Sequence, residues 1–170
     1  MANCCFITLR IDFGNKAEAD TCFNWLQAKM KETEEQHPNW AFELGKDTKF
    51  YIIDYDAVKL SDDSVEVGGW VKWAIDTDAF VEAVSQLTKN YDIRYLRCDY
   101  QESGCNIYGY WEYFQESRHL TDWGLDPQYC EQYWRDHQEE ANTDGGYSEI
   151  VEHFCNAPVE QYQADYEVCL

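Results

Sequence analysis

The feature that most restricts the fold is a change of hydrophobic period along residues 5–114. From Cys5 to Phe13 the odd-numbered residues are all apolar, which predicts a strand with one wholly apolar face. From Asn15 to Gln36 the apolar residues recur every three or four positions, which predicts an amphipathic helix that ends before Pro38. A chain that alternates in this way combines a sheet with helices packed on it.

The alternation between strand-like and helix-like hydrophobic periods continues to residue 114. Further strands are predicted over residues 50–58, 65–75, 93–100 and 106–114. A second helix follows the third strand, because Asp76 or Thr77 can cap an apolar stripe that begins at Phe80. The order βαββαβ plus one hairpin strand predicts an α+β fold, a ferredoxin-like antiparallel sandwich with two helices on one face.

The second face of that sheet raises a question of its own. It would carry Phe6, Trp70, Tyr108 and Tyr110. So many aromatic side chains are rarely left in contact with water without a reason. We expect either the C-terminal segment or a partner to cover them.

Residues 115–170 differ in kind from residues 1–114, which are expected to form the ferredoxin-like domain. The C-terminal segment holds 13 Asp and Glu residues, with Arg118 and Arg135 as its only Lys or Arg. Three helices are expected in it: one that begins at Asp126-Pro127, one over 147–154 and one over 159–168. The sequence therefore predicts an acidic helical extension, packed on or beside the first domain.

The charge of the whole chain limits its partners. It has 33 Asp and Glu residues against 13 Lys and Arg, a formal net charge of −20. A folded body of this length is roughly 40 Å across, and duplex DNA of that length carries about 24 phosphate charges. Such a surface repels nucleic acid and anionic membranes, so we expect neither to bind directly. Solubility alone also explains a high charge, but a basic partner is the more informative hypothesis.

Composition indicates a folded, reduced protein. The chain is 45% hydrophobic and 16% aromatic, enough to bury a core. No apolar stretch has the length of a membrane span and the N-terminus lacks the features of a secretory signal, so we expect a cytoplasmic location. The eight cysteines are expected to be mostly small buried thiols, Cys22 among them. His153 and Cys155 are the nearest His/Cys neighbours, and no metal or other cofactor is expected.

The sequence lacks the short signatures of common enzymes. It contains no P-loop, no Gly-x-Ser-x-Gly, no His-Glu-x-x-His and no dinucleotide-binding glycine pattern. His119 and His137 are the acid-base candidates of the acidic segment. A histidine on a helix stripe beside Trp134, as His137 is, is typically packed and hydrogen-bonded. We therefore expect no enzymatic activity and assign no catalytic residue.

Two other functions remain open. A small-ligand or metal-assisted enzyme would use the aromatic sheet face as its pocket, and Asp54 with Asp56, or Asp62 with Asp63, could hold a hard cation such as Mg²⁺. Phosphate chemistry also needs cations, of which this surface has few. An adaptor would bind a protein through the aromatic face without regard to charge.

Several short stretches between residues 69 and 111 suggest a relationship. They are Gly69-Trp70-Val71-Lys72-Trp73, the helix from Phe80 to Leu87, Tyr91-Asp92-Ile93-Arg94-Tyr95, Gln101-Glu102-Ser103-Gly104 and Tyr108-Gly109-Tyr110-Trp111. Together they resemble the YubB-like ferredoxin-fold family, which is encoded on plasmids and phages. The resemblance covers residues 1–114 and implies the fold and a mobile-element origin, but no catalytic residue.

Charge and resemblance together predict a phage- or plasmid-encoded inhibitor of a bacterial defence system, either CRISPR-Cas or restriction. It would occupy the basic nucleic-acid groove of its target as an acidic DNA mimic. Carboxylates two apart on a strand, or three or four apart on a helix, share a face and can contact Lys and Arg. The acids expected to do so are Asp54, Asp56, Asp62, Asp63, Asp136, Glu139, Glu140, Asp144, Glu149 and Glu152. Trp123, in a predicted loop, is the expected apolar anchor, with Tyr129 and Trp111 as others.

Overall fold

The computed structural model describes residues 4–36, 42–45, 49–72, 75–102, 107–143, 145–156 and 162–168. The strands in these ranges are β1 (Cys4–Phe13), β2 (Phe42–Glu43), β3 (Tyr51–Lys59), β4 (Ser64–Lys72), β5 (Ile93–Glu102), β6 (Ile107–Phe114), β7 (His119–Gly124) and β8 (Tyr162–Glu167). The helices are α1 (Lys16–Gln36), α2 (Thr77–Asn90), α3 (Pro127–Asp136), α4 (Gln138–Ala141) and α5 (Gly146–Asn156). The protein is thus a mixed α/β structure.

The described strands form one sheet in the order β2-β3-β4-β1-β5-β6-β7-β8, with neighbours antiparallel throughout. β1 lies near the middle, where Leu9 is opposite Val67 of β4 and Cys98 of β5. α1 leads from β1 past β4 to β3, and α2 leads from β4 past β1 to β5. The predicted hairpin between β5 and β6 is confirmed, because Tyr95 lies opposite Phe114.

The main core lies between the sheet and helices α1 and α2. The apolar face predicted for β1 is confirmed, since the odd-numbered residues from Cys5 to Phe13 have no exposed surface. Cys22 of α1 is buried as predicted, and Phe80 of α2 packs its ring 5.3 Å from that of Trp111 on β6. Each large apolar side chain buried here stabilises the fold by about 1.5–3 kcal/mol.

Both predicted helix starts are confirmed by their caps. The Asp76 carboxylate accepts a hydrogen bond from the Ala79 amide at 3.0 Å at the start of α2. The Asp126 carboxylate accepts one from the Gln128 amide at 2.7 Å, with Pro127 in the first turn of α3. Each cap satisfies an amide that the helix itself leaves without a partner.

The segment after residue 114 is not only helical, and here the sequence prediction is wrong. β7 pairs with β6 and β8 pairs with β7, so this segment adds two strands to the sheet. The helix predicted over 159–168 is replaced by β8, because Tyr162, Ala164 and Tyr166 alternate with polar residues at the period of a strand. The Tyr166 ring packs 5.2 Å from that of Trp111 and so joins the main core.

Candidate functional site

The acidic helices are held against the sheet by an apolar cluster of their own. Its buried members are Tyr108, Leu125, Cys130, Ile150 and Phe154. The sheet contributes Tyr108, whose ring lies 4.8 Å from that of Phe154. Because Tyr108 alternates with the core residues Trp111 and Tyr113 along β6, α3 to α5 lie on the sheet face opposite α1 and α2.

We call the side of the sheet away from α1 and α2 the open face. The C-terminal helices cover only part of it. Tyr108 is 1% exposed beneath them, whereas Trp70 remains 42% exposed and touches Phe6 edge-on, with the ring centres 5.1 Å apart. The expected aromatic face is thus half covered by the protein's own chain.

Two glycines set the corner between α4 and α5. Gly145 has a φ of 87°, in the left-handed region that favours glycine. A Cβ on Gly146 would lie 1.8 Å from the carbonyl oxygen of Glu140. Only glycine fits at both positions, and the corner brings the end of α4 against the start of α5.

Six carboxylates are exposed on these helices, and one of them, Glu131, is paired with Arg135. The other five form what we call the acidic helical surface: Asp136, Glu139, Glu140, Glu149 and Glu152. Asp144, predicted to join them, lies outside the described residues. The neutral Gln132 side chain donates to Asp136 at 2.8 Å, while Arg135 pairs with Glu131 at 2.5 Å. In the part of the chain that the structure describes, none of the five carboxylates has an ion-pair partner.

Many carboxylates of the sheet body, by which we mean β1–β7 with α1 and α2, are paired instead. The pairs are Asp12 with Arg10, Asp20 with Lys16 and Lys59, Glu32 with Lys29, and Asp99 with Arg97. Hydrogen bonds from Lys59 and then Lys16 hold the pKa of Asp20 below its usual value. These pairs neutralise part of the charge of the body locally, whereas the five carboxylates of the acidic helical surface have no such pair among the described residues.

The acids predicted on the turn between β3 and β4 are also partly compensated. Asp62 lies 3.4 Å from the Lys16 ammonium, although its carboxylate is largely exposed. Asp63 accepts a hydrogen bond from the Ser61 hydroxyl at 2.8 Å, and that bond holds the pKa of Asp63 below its usual value.

These turn acids and the acidic helical surface lie at opposite ends of the sheet. The Asp63 carbonyl accepts a hydrogen bond from the Phe13 amide, whereas the Cys155 thiol of α5 donates to Gln101, which lies opposite Phe6. Phe6 and Phe13 are separated by seven steps along β1, about 23 Å at the rise of a strand. The predicted contact residues thus form two separate groups.

Asp56 lies between the two groups. It is exposed on the open face opposite Gly68, and its carboxylate accepts from the Ala57 amide at 2.8 Å. The Asp54 side chain lies outside the described atoms. The pairing of β3 with β4 shifts register between Ile53 and Asp56.

The predicted aromatic anchors need correction. Trp123 lies in strand β7 and not in a loop, and its half-buried ring stacks on Tyr110 at 6.2 Å. Trp111 is 2% exposed in the main core and cannot reach a partner. Tyr129 is half-buried, and its hydroxyl lies 3.1 Å from Nε2 of His153. Residues 119–124 alternate as a strand does. The alternation was hard to recognise in the sequence because a polar residue, Asp122, lies on the buried side.

Asp122 is a buried carboxylate that the sequence did not single out. It is 8% exposed, and the Tyr100 hydroxyl donates to it at 2.8 Å. Burial raises the pKa of Asp122 to about 6, and the Tyr100 hydrogen bond opposes that shift. It lies on the core side of the sheet, so it acts on stability and is not open to a partner.

The open face carries a row of charges that also escaped sequence analysis. Arg10 lies opposite Arg97, and Arg97 lies opposite Glu112. The Arg97 guanidinium donates to both oxygens of Asp99 and lies 3.9 Å from the centre of the Tyr110 ring. Only the strand register brings these residues together, and register is not readable from one sequence.

A cavity of about 120 Å³ lies beside this row, between the sheet and the end of α5, and we call it the recess. Its lining residues are Phe6, Thr8, Asp99, Tyr100, Gln101, Gly109 and Cys155. The Cys155 thiol donates to the Gln101 side-chain oxygen at 2.8 Å. Burial, Asp99 and Glu152 raise the pKa of Cys155, so the thiol is protonated at neutral pH.

The groups expected to serve acid-base or metal chemistry are engaged in packing. His137 stacks on Tyr133, with ring centres 3.9 Å apart, and its Nδ1 lies 2.9 Å from the Tyr133 carbonyl oxygen. His119 is exposed at the start of β7. Burial raises the pKa of Cys22 to about 12 and that of Cys130 to about 11. Among the described residues, no three His, Cys, Asp or Glu side chains are grouped to hold a metal ion.

Comparison with models of protein families gave no match, and comparison with curated proteins and with solved structures gave none either. Among the described helices, none is both long and apolar enough to cross a membrane.

Proposed function

We propose that this protein is a non-enzymatic inhibitor that occupies the cationic nucleic-acid groove of a bacterial defence complex, as an acidic DNA mimic encoded by a phage or plasmid. The observation that carries the proposal is the acidic helical surface. Its five carboxylates are exposed, and none has an ion-pair partner among the described residues. A partner that supplies Lys and Arg would provide the missing charge.

The geometry of the surface supports this role. Glu149 and Glu152 are three residues apart on α5, so their Cβ atoms lie roughly 5–6 Å apart on one side of the helix. The glycine corner sets Glu139 and Glu140 of α4 beside this helix. Rows of exposed charge speed association with an oppositely charged groove, and the effect falls as salt screens it.

A non-enzymatic role is supported by the state of the reactive groups. The Cys155 thiol at the recess is protonated, and the ring of His137 is stacked and within hydrogen-bond distance of the backbone. Among the residues that the structure describes, neither group has a hydrogen-bonded base that would activate a nucleophile. These contacts serve packing, which is compatible with a binding protein.

We further propose that β1, α1, β3, β4, α2 and β5 form a ferredoxin-like unit of the YubB-like kind. The support is the strand order β3-β4-β1-β5, together with two crossing connections whose helices share one core. The remaining strands and the acidic helices are additions to that unit.

Competition with nucleic acid tests the proposed function. The full chain is titrated into three purified complexes bound to labelled DNA: a guide-loaded single-effector CRISPR nuclease, a multi-subunit CRISPR surveillance complex and a multi-subunit restriction enzyme. We expect displacement of DNA from at least one of them, with the inhibition constant rising at least about tenfold between about 50 mM and 300 mM salt.

Each other outcome points to a different function. Binding without competition and without salt dependence, lost in Trp70→Ala, would identify a charge-independent adaptor that uses the open face. Binding to none of the three complexes, at either salt concentration, would contradict the proposed inhibitor.

A further inference from the structure

We propose that the recess between the open face and the end of α5 binds one arginine side chain of the target. The inference deepens the proposed function and rests on it. It assigns a specific site, in place of general charge attraction, to one cationic residue of the partner.

The lining chemistry of the recess fits a cation that donates several hydrogen bonds. Asp99 supplies a carboxylate, Thr8 a hydroxyl oxygen and Gln101 a side-chain carbonyl oxygen. Gln101 receives one bond from the Cys155 thiol, and an amide oxygen has two lone pairs. Guanidinium offers five N–H donors and no acceptor, so it can donate to these three oxygens, while the rest of the lining is mostly apolar.

The size of the recess fits the head of an arginine. Its volume of about 120 Å³ has room for about four water-sized groups. A guanidinium group has four non-hydrogen atoms and is planar. Thr8 lies between Phe6 and Arg10 on the open face and forms part of the floor of the recess.

Aromatic side chains provide a wall for the arginine stem. Phe6 lines the recess, and Trp70 packs edge-on against it while staying 42% exposed. A cation is attracted to the negatively polarised face of an aromatic ring. The aliphatic part of arginine would cover apolar surface that the protein's own helices leave open.

The charge around the recess favours a cation over an anion. Asp99 is paired with Arg97. The Arg97 guanidinium lies over the Tyr110 ring, and Arg97 is not one of the residues that line the cavity. Glu152, one helical turn before Cys155, belongs to the acidic helical surface and brings an uncompensated charge to the rim. Because Arg97 balances the charge of Asp99, Glu152 supplies the net negative charge that acts on the Cys155 thiol at the cavity.

The test uses the full chain and a free arginine derivative. N-acetyl-arginine methylamide is titrated into ¹⁵N-labelled protein and followed by amide chemical shifts, with N-acetyl-citrulline methylamide as the neutral analogue of the same shape. We expect saturable shifts at Thr8, Gln101 and Gly109, with a dissociation constant in the range of about 1–10 mM, as for a small fragment. Citrulline should bind at least about tenfold more weakly, because it lacks the charge.

Two matched variants sharpen the result. Glu152→Gln removes the rim charge and should weaken arginine binding about threefold, while Glu82→Gln, exposed on α2 on the other side of the sheet, should change it less than about 1.5-fold. Thr8→Leu fills the floor of the recess and should abolish the shifts. A melting temperature within a few degrees of the wild type would show that these variants remain folded.

Equal binding of arginine and citrulline, shifts spread over the acidic helical surface instead of the recess, or no saturation would each overturn the arginine site. These failures are distinct from failure of the proposed function. If Thr8→Leu still displaces DNA from its target at full strength, the mimic stands and the recess is not part of it. If arginine binds but no defence complex is inhibited, the arginine site is supported and the proposed DNA mimicry is contradicted.

Discussion

The carboxylates of the sheet body and those of the acidic helices differ in their ionic partners and in their burial. In the body, Asp12, Asp20 and Asp99 each lie against a Lys or Arg, and Asp122 is buried with a raised pKa. On α3 to α5, Arg135 is engaged by Glu131, and the five carboxylates of the acidic helical surface face solvent without a cation among the described residues. Exposed carboxylates without a cation repel one another, although Glu149 in the first turn of α5 also favours the start of that helix. We propose that an external partner supplies the cations that these five carboxylates lack.

The two regions also differ in how they are held. The body has a core of aliphatic and aromatic residues from the sheet, α1 and α2, while the helices rest on the small cluster around Tyr108 and Phe154. A binding surface on such a support depends on very few contacts.

The largest expected effect is on that support. Phe154→Ala removes a buried ring that packs against Tyr108, Tyr133 and Trp134. We expect the free energy of unfolding to fall by about 3–5 kcal/mol, as measured by denaturant titration. Tyr147→Ala is the control, since Tyr147 is 51% exposed and should cost less than about 1 kcal/mol. Equal losses in the two variants would mean that the cluster does not hold the helices.

The second effect concerns the buried acid of the body. Asp122→Asn should stabilise the protein at about pH 7 by up to about 3 kcal/mol, because a pKa raised by about two units disfavours the ionised form by that amount. The amide oxygen can still accept the hydrogen bond from Tyr100.

The pH dependence of that effect has a definite sign. The folded-state pKa of Asp122, about 6, lies above the 3.8 of a free aspartate side chain. The protonated form is therefore favoured by folding, and this contribution to stability is complete below about pH 4 and is lost as pH rises through about 6. Wild type and Asp122→Asn should have their smallest difference in stability near pH 4 and their largest above pH 6. A difference independent of pH would contradict the buried, pKa-shifted carboxylate.

A third, smaller effect tests the charge row of the open face. Arg97→Met removes the ion pair with Asp99 and the contact with the Tyr110 ring, but keeps most of the side-chain volume. Because the pair is partly exposed, we expect a loss of about 1 kcal/mol in thermal or chemical unfolding. Arg10→Met, whose side chain is more exposed, should lose about half as much. A larger loss of stability for Arg10→Met than for Arg97→Met would contradict the role given to the contacts of Arg97 with Asp99 and Tyr110.

The smallest expected effect distinguishes the acids of the helices from the acids of the sheet body. We define a helix-acid variant as Glu139→Gln, Glu140→Gln, Glu149→Gln and Glu152→Gln, and a body-acid variant as Glu32→Gln, Asp78→Asn, Glu82→Gln and Glu116→Gln. At low salt the helix-acid variant should be more stable than wild type by less than about 1 kcal/mol, and the gain should vanish at about 1 M salt. The body-acid variant should not gain, because Glu32 loses its pair with Lys29 and Asp78 leaves the first turn of α2.

The elements predicted correctly from the sequence are those in which one hydrophobic period continues without interruption. The alternation of β1, the stripe of α1 and the caps Asp76 and Asp126 each gave an element that the structure confirms. These signals are local, so they need no knowledge of which strand pairs with which. The same holds for the buried state of Cys22, whose position on the helical stripe decided it.

The errors arose where a polar or aromatic residue concealed the period. Asp122 on the buried side of β7 made residues 119–124 look like a loop, and the polar residues beside Tyr162 and Tyr166 made β8 look like a helix face. The recess and the Arg10–Arg97 row depend on register and on the docking of α5. Such features arise from contacts between distant segments, which one sequence does not encode in a readable way.

The most direct test of the central claim is to compare the helix-acid and body-acid variants in competition with DNA for the defence complex that the wild type inhibits. Both variants remove four negative charges, so a general charge effect would weaken them equally. We predict that the helix-acid variant loses at least about tenfold in inhibition at low salt and most of its salt dependence, while the body-acid variant stays within about threefold of wild type. Equal losses, or a helix-acid variant that inhibits like wild type, would contradict the assignment of function to the acidic helical surface.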